Sequence, residues 1–589
     1  TEFPRIGDLP YFLTLPPYYF YWFRLQLAPA PVTTLRAPET AAPVEALPAF
    51  FMGVAWDTLL DGNVRTLIER ESLVPFLQRQ RWFGGKARHI RAAQFRDWGL
   101  VRRGTDPIFL TIVEVTYEQG EAERYLLPLA IVSGPAADAI VAHTPQVALA
   151  RVTGARKGVI IDASADDAGA QALFQVLESE ATLSTRRGLL RTRHTPAFFE
   201  LRGTGALTPK RGAAEQSNTS ITFGDRLILK LFRRVENGPN PDVEIGEYLT
   251  TKTSFRRAPR VAASIEYVAA GATAAAHLAV AQQFVVSQAD GWSHALGELR
   301  RYYDEVAVRD APDRQWLEAG HLFDLAAAPT PQGVCDLTGA YIDSAQVLGR
   351  RTAELHLALA GDAGTEAFAP AAWTREDTAR LVADAAAQIA NARALLDAAP
   401  AGLAPELGAT ARDLVERAHA TLLERYGADR AIAPDGAAAR IRVHGDYHLG
   451  QVLWSEGDFY LLDFEGEPAR ALEDRRLKES PLKDVAGMLR SFGYAAHAAL
   501  FAQMAVRGAD AARLEPWARV WERWTGAAFL KGYLAVAGGA PFVPADPAQR
   551  AALLDLFLLD KALYELNYEL NNRPEWARIP LRGLAEFLG

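Results

Sequence analysis

Apolar residues are spaced differently in the two halves of this chain. Between about residues 95 and 290 they fall in short, nearly continuous runs: FLTIVEV, RYLLPLAIV and VIID, then SITFG, DRLILKLFR and HLAVAQQFVV. Runs of this length, rich in β-branched residues and bounded by turn formers, predict strands. After residue 292 the spacing changes to threes and fours. Leu348, Thr352, Leu355 and Leu359 mark one helical stripe, and further helices are expected at 374–396, 405–426, 482–504, 513–536 and 547–571. An earlier helical pattern, Leu60, Val64, Leu67 and Ile68, precedes the strands.

One stretch of the helical half breaks its period. Val452–Trp454 and Phe459–Leu462 are strand formers, and SEGD between them supplies turn residues, so a β-hairpin is expected. The two ends of that hairpin carry chemistry. The stretch VHGDYHLGQVLW places Asp446 and Gln451 before it, and LLDFEG places Asp463 and Glu465 after it. Pairing the strands brings Asp463 back towards Gln451 and Asp446. A loop carboxylate that orients a hydroxyl, an amide for a metal and a second carboxylate for the metal are the parts of a phosphotransferase. Protein kinases write them as HRDxxxxN and DFG; here they read HGDxxxxQ and DFE. One Mg²⁺ shared by Gln451, Asp463 and phosphate oxygens fits the preference of that hard ion for oxygen ligands. An isolated HGD triplet means little, because an aspartate there also simply ends a strand; the offset of Gln451 and the hairpin raise its weight.

Other positions follow from this reading. Lys230, in DRLILKLF, is flanked by apolar residues and needs an anion; ATP phosphates suit it, with Glu244 as its helix partner and Glu247 as the alternative. Either glutamate could equally be a solvated helix face. Ser217, Asn218, Thr219 and Ser220 precede that strand and offer hydroxyls and amides for phosphate, or an ordinary polar turn. Phe284 and Val285 are candidates for main-chain contacts to adenine between the lobes. His444 is expected to brace backbone near Asp463, and Asp484 to brace the catalytic loop. His448, Lys478, Glu479, Lys483 and Tyr494 are candidates for sugar contacts, with a charged surface as the plainer alternative. His444 and His448 are four apart, but their hairpin context opposes a zinc site.

Composition narrows the setting. A chain of 589 residues with 49% hydrophobic content supports more than one core. Its net charge of −8 excludes the basic surface of a nucleic-acid binder. A single cysteine, Cys335, excludes a disulfide framework and fits a reducing compartment. No apolar run suits a membrane span, and TEFPRIGDLP lacks signal-peptide features, so the cytoplasm is expected.

Several strings together resemble bacterial maltokinases: VHGDYHLGQVLW, LLDFEGEPAR, RRLKESPLKDVAGMLRSFGYAA, EQSNTSI, PFLQRQRWFGGKAR and LLDKALYELNYELNNRPEW. The resemblance covers roughly residues 50–589. It implies an α+β, bilobal, protein-kinase-like fold of the aminoglycoside phosphotransferase type, preceded by an α/β cap subdomain. It also implies ATP- and Mg²⁺-dependent conversion of maltose to maltose 1-phosphate, which feeds α-glucan (glycogen) synthesis from trehalose. By resemblance Asp446 is the catalytic aspartate, Gln451 and Asp463 are metal ligands, Glu465 assists a second metal ion, and Lys230 with residues 217–220 forms the phosphate site. Residues 1–27, FPRIGDLPYFLTLPPYYFYWFRL above all, resemble the final strands of a trehalose synthase. The expected organisation is then a synthase remnant at 1–27, a Pro/Ala-rich linker at 28–48, a cap at 49–200, a β-rich ATP lobe at 201–291 and a helical lobe at 292–589, with trehalose synthase as a fused or associated partner. Two other readings stay open: a kinase of this fold with another hydroxyl acceptor, and a catalytically silent glucan-binding or scaffolding module.

Overall fold

The structure is a computed structural model that describes residues 47–53, 55–212, 217–317, 320–362, 364–398, 400, 402–427, 438–507 and 511–588. The expected synthase remnant and all but the end of the expected linker lie outside the described residues.

The first sheet belongs to the cap. Its strands are β1 (Ala49–Met52), β2 (Ile90–Arg102), β3 (Ile108–Tyr117), β4 (Glu123–Ser133), β5 (Ala148–Gly154) and β6 (Gly158–Asp162), in the order β1-β5-β6-β4-β3-β2. Only the β1–β5 pair is parallel. The run IFLTIVEV of β3 is nearly continuous because both faces of the sheet are covered. Helices Asn63–Glu71 and Leu73–Arg79 bury Ile68, Leu73, Phe76 and Leu77 on one side, with Trp82 and Phe83.

The second sheet holds β7 (Thr182–Ser184), β8 (Gly188–His194), β9 (Pro209–Arg211), β10 (Thr219–Phe223), β11 (Leu227–Leu231), β12 (Val261–Ala269) and β13 (Ala276–Gln283). All pairs are antiparallel, in the order β7-β8-β12-β13-β11-β10-β9. The expected boundary at residue 200 falls inside this unit: β8 precedes it and pairs along β12 from Gly188 to His194. Arg233 rivets the two sheets together. It is buried, ion-paired with Asp162 at 2.7 Å, donates to the hydroxyls of Ser164 and Thr219 at 2.8 Å each, and lies over Trp82. A guanidinium this deep persists because its donors find acceptors.

Beyond β14 (Ala289–Asp290) the chain is helical. The short pair β15 (Ala371–Ala372) and β16 (Ala439–Arg440) and the hairpin β17 (Val452–Ser455) and β18 (Asp458–Leu461) are the exceptions. Helices Arg375–Asp397, Pro405–Tyr426, Leu482–Arg507, Ala511–Ala537 and Pro547–Asn572 fall within a few residues of their expected spans. Leu348, Thr352, Leu355 and Leu359 are all fully buried on helix Tyr341–Leu359, as their spacing requires. No described helix is long and apolar enough to cross a membrane. The architecture is therefore α+β: a β-rich lobe with an α/β cap, joined to a helical lobe.

Candidate active site

The hairpin is tighter than its sequence suggests. Trp454 pairs with Phe459 and Ser455 with Asp458, leaving a loop of only Glu456 and Gly457, both with positive φ (52° and 78°). That two-residue geometry matches the twist of the strands. β14 adds a third strand on β17 and ties the inter-lobe segment to the hairpin.

The turn before the hairpin is held from behind by one buried carboxylate. Asp484 opens helix Leu482–Arg507 and accepts the main-chain N–H groups of His444 (2.8 Å) and Gly445 (2.9 Å). His356 contacts the same carboxylate at 3.0 Å and is itself met by the Tyr533 hydroxyl. Burial works against the Asp484 charge, but these hydrogen bonds and His356 outweigh it and hold the carboxyl below its usual range. Gly487 lets the helix approach: a Cβ there would lie 2.6 Å from the Tyr447 carbonyl. His444 places Nε2 2.7 Å from the carbonyl of Leu462, the residue before Asp463. His444 and Asp484 thus both bond main chain beside the hairpin.

The hairpin brings the metal-type ligands together. Gln451 Nε2 donates to Asp463 Oδ2 at 2.9 Å. Asp463 has φ of 63°, a left-handed conformation uncommon for a non-glycine residue and concentrated at functional turns. Lys230 Nζ reaches Asp463 and Glu465 at 2.5 Å each and Asp242 at 3.1 Å. Burial disfavours the Lys230 ammonium, yet the three carboxylates outweigh it and raise its pKa well above normal. In Asp463 burial pushes the carboxyl up but Lys230 prevails and holds it down; in Glu465 burial prevails and the carboxyl is raised.

Two expectations are corrected here. The helix partner of Lys230 is Asp242, not Glu244. Asp242 sits at the first turn of helix Pro241–Lys252, 1% exposed, and its other oxygen accepts the Phe464 N–H at 3.1 Å. Glu244, two residues on, turns away from Lys230 and takes Arg442 at 2.7 Å and Arg476 at 2.8 Å, joining the lobes. The alternative, Glu247, bonds Ser264 instead. The second correction concerns the turn before β10. Ser220 stands directly across from Lys230, and Asn218 bonds Glu465 at 2.6 Å, but Thr219 is buried beneath Arg233. Side chains alternate along a strand, so Thr219 and Ser220 cannot both face the cleft. Ser217 is exposed.

Phe284 follows β13 as expected of the inter-lobe segment, but its N–H is taken by the Arg226 carbonyl at 2.8 Å. Among the sugar candidates, Glu479 is committed to Arg380 at 2.8 Å and to backbone pairing with Ile441, and Lys478 donates to the Glu366 carbonyl. Glu479 is thus held within the fold, while Lys478 keeps two of its three donors. Tyr494 donates to Glu569 at 3.2 Å, and His448 accepts the Gly450 N–H. Burial lowers the His448 pKa. Lys483 faces Asp560, whose carboxyl burial pushes up to about 6.

Asp446 is half-buried at the mouth of the helical lobe. Its neighbours are Lys561 Nζ at 3.6 Å and His448 Nε2 at 4.0 Å. Lys561 and Asp242 are the site residues that sequence reasoning missed. Asp242 had a faint signal: Asn240 and Pro241 mark a helix start, and Asn240 does cap the Asp242 N–H. Lys561 lies in the family-like string LLDKALYELNYELNNRPEW, but nothing local ties it to Asp446, 115 positions away.

Residues 76–166 match the family model of the maltokinase N-terminal cap domain, a stretch that runs from within helix Leu73–Arg79 to the turn after β6 and holds β2–β6 of the cap sheet. The chain is 25% identical over 390 residues to a glucosamine kinase of Streptacidiphilus jiangxiensis, covering 66% of this chain and 75% of that protein. It is 27% identical over 377 residues to a glucosamine kinase of Mycolicibacterium smegmatis, covering 64% and 78%. A solved glucosamine kinase in complex with glucosamine, ADP and inorganic phosphate superposes with a TM-score of 0.56 at 18% identity, over 90% of this chain and 100% of that one. Another crystal form of a glucosamine kinase gives 0.56 at 19%, with the same coverage. Likeness at this level establishes fold rather than acceptor. The chain thus has the bilobal kinase fold of these structures and carries a maltokinase-type cap.

Proposed function

We propose that this chain is an ATP-dependent sugar kinase that transfers the γ-phosphoryl group to the anomeric hydroxyl of maltose, giving maltose 1-phosphate and ADP. The observation that carries the reading is the contact of Gln451, which precedes β17, with Asp463, which follows β18, together with the contact of Lys230 with Asp463 and the place of Asp446 in the loop that leads into Gln451. ATP phosphates suit Lys230, Ser220 and the Asn218 turn. The donor set also fits Mg²⁺: Asp242, Asp463 and Glu465 hold carboxylate oxygens within 4.8 Å of one another, and the Gln451 amide adjoins them. When bound, that ion supplies neutralisation of the phosphate charge. Asp446 orients the acceptor hydroxyl and receives its proton as the new bond forms. An anomeric hydroxyl is more acidic than other sugar hydroxyls, so the demand on Asp446 as a base is modest.

The charges around Asp446 support a neutral acceptor. Glu467 is paired with Arg470 at 2.7 Å, Glu565 with Arg490 at 2.8 Å and Glu569 with Arg573 at 2.7 Å, while Lys561 stands beside Asp446. Each carboxylate already has a cation, which leaves little to attract an ammonium. The similarity to glucosamine kinases favours the second reading, an amino-sugar acceptor. Phosphorus NMR after incubation with MgATP and either maltose or glucosamine separates the two. An anomeric phosphate signal from maltose is expected; turnover of glucosamine with none of maltose would overturn the proposal. Supply of α-glucan synthesis, a trehalose synthase partner (suggested by residues 1–27) and a cytoplasmic setting belong to the same reading.

A further inference from the structure

Lys561 is difficult to explain as scaffold. It lies on helix Pro547–Asn572 with its side chain 19% exposed, and its nearest charged partner, Asp446, is at 3.6 Å, beyond a good hydrogen bond. The other acids near it, Glu467 and Glu565, are already bonded to Arg470 and Arg490. Among the described residues its ammonium donates no hydrogen bond; the nitrogen itself lies 4.8 Å from the centre of the Tyr564 ring, a cation–π contact. With Asp446 at ion-pair rather than hydrogen-bond distance, the ammonium keeps its three donors available for an anion that arrives beside Asp446. Lys230, the other lysine of the cleft, is occupied by Asp242, Asp463 and Glu465 on the far side of the hairpin.

We propose that Lys561 is a catalytic residue that contacts the oxygens of the phosphoryl group in flight between ATP and the acceptor held by Asp446. This rests on the reading of the cleft as a phosphoryl-transfer site. In the step, a bond forms between the acceptor oxygen and the γ-phosphorus. The bond from that phosphorus to the β–γ bridging oxygen breaks, its electron pair staying on ADP. The acceptor proton passes to Asp446 and then to water. Negative charge spreads over the three equatorial oxygens, and a fixed cation there stabilises the transition state more than the ground state. The helical lobe supplies that cation from its C-terminal region, because HGDYHLGQ contains no lysine or arginine.

The test compares Lys561→Met, Lys561→Arg and Asp446→Asn in the full chain, with thermal melts to confirm folding. Lys561→Met is expected to lower kcat by about 10²-fold, with KM for ATP within about threefold, and Lys561→Arg to restore part of the loss. If Lys561 acted only by positioning Asp446, its removal would add nothing in the Asp446→Asn background; a further drop there is expected, and its absence overturns the proposal. A readout independent of sugar turnover is the binding of aluminium fluoride with MgADP, a mimic of the phosphoryl group in flight. Lys561→Met is expected to weaken that ternary complex while MgADP alone binds normally. Equal affinity of wild type and variant for the mimic overturns the proposal even if maltose is phosphorylated, whereas failure of maltose with retained mimic binding counts only against the acceptor assignment. Should Lys561→Met not fold, Lys561→Gln takes its place with the same criteria.

Discussion

The two sides of the cleft are built on different plans. On the nucleotide side one lysine and three carboxylates form a closed cluster, with Lys230 in direct contact with Asp242, Asp463 and Glu465. On the acceptor side Asp446 and Lys561 stand 3.6 Å apart, and the surrounding acids each have a separate partner. The first is a self-satisfied network; on the proposed function, phosphates take over Lys230 and free its carboxylates for another cation. The second is loosely held and ready to receive. A closed network suits a ligand that brings compensating charge of both signs, as a metal nucleotide does. An open, locally neutral pair suits an uncharged sugar.

Substitutions on the two sides are expected to separate accordingly. The largest effect should come from Asp463→Asn, which removes a metal-type ligand and one of the three carboxylate partners of Lys230; a kcat loss of about 10³-fold or more is expected in a coupled ADP assay. Asp446→Asn should follow, with about 10²-fold lost from kcat and nucleotide affinity retained in a calorimetric titration. Near-normal turnover of that variant would refute its assigned role. Asp242→Asn acts through Lys230 and the Phe464 backbone, and a fall in kcat of on the order of 10- to 10²-fold is expected.

Glu244→Gln should behave differently, because it leaves Arg442 buried without its ion partner. A loss of about 3 kcal/mol in denaturant unfolding, with KM for ATP little changed, distinguishes a lobe latch from a phosphate-site residue. The smallest effect on turnover is expected at Glu522, which lies behind the Arg490–Glu565 pair. Burial pushes this carboxyl up to about 8, against an ordinary value of 4.5. The folded protein therefore binds that proton more tightly than the unfolded chain, and stability from this group falls as pH rises from about 4.5 to about 8. Melting curves of Glu522→Gln should show a gain of a few degrees at pH 8 that disappears near pH 4; a gain independent of pH would contradict the assignment.

The contrast between Asp242 and Glu244 shows where sequence reasoning stopped. Both are acids in the first turn of one helix, and the pattern NPDVE says that a helix starts there without saying how it is rotated against the sheet. That rotation is set by packing of Val243 against Phe232, Val261 and Val280, contacts that no local window contains. Thr219 and Ser220 teach the same lesson for a strand, where the alternation was legible but its phase was not.

By itself the sequence determined what depends on neighbours along the chain. The helical stripes, the strand runs, the β-hairpin and the approach of Gln451 to Asp463 all follow from periodicity, turn chemistry and a twelve-residue separation. Tertiary structure alone decided which distant groups complete the site. Asp242 lies 221 positions before Asp463, and Lys561 lies 115 after Asp446. Their meeting depends on how an amphipathic helix is turned and docked, because an amphipathic pattern states only which face is buried and leaves open which element it is buried against.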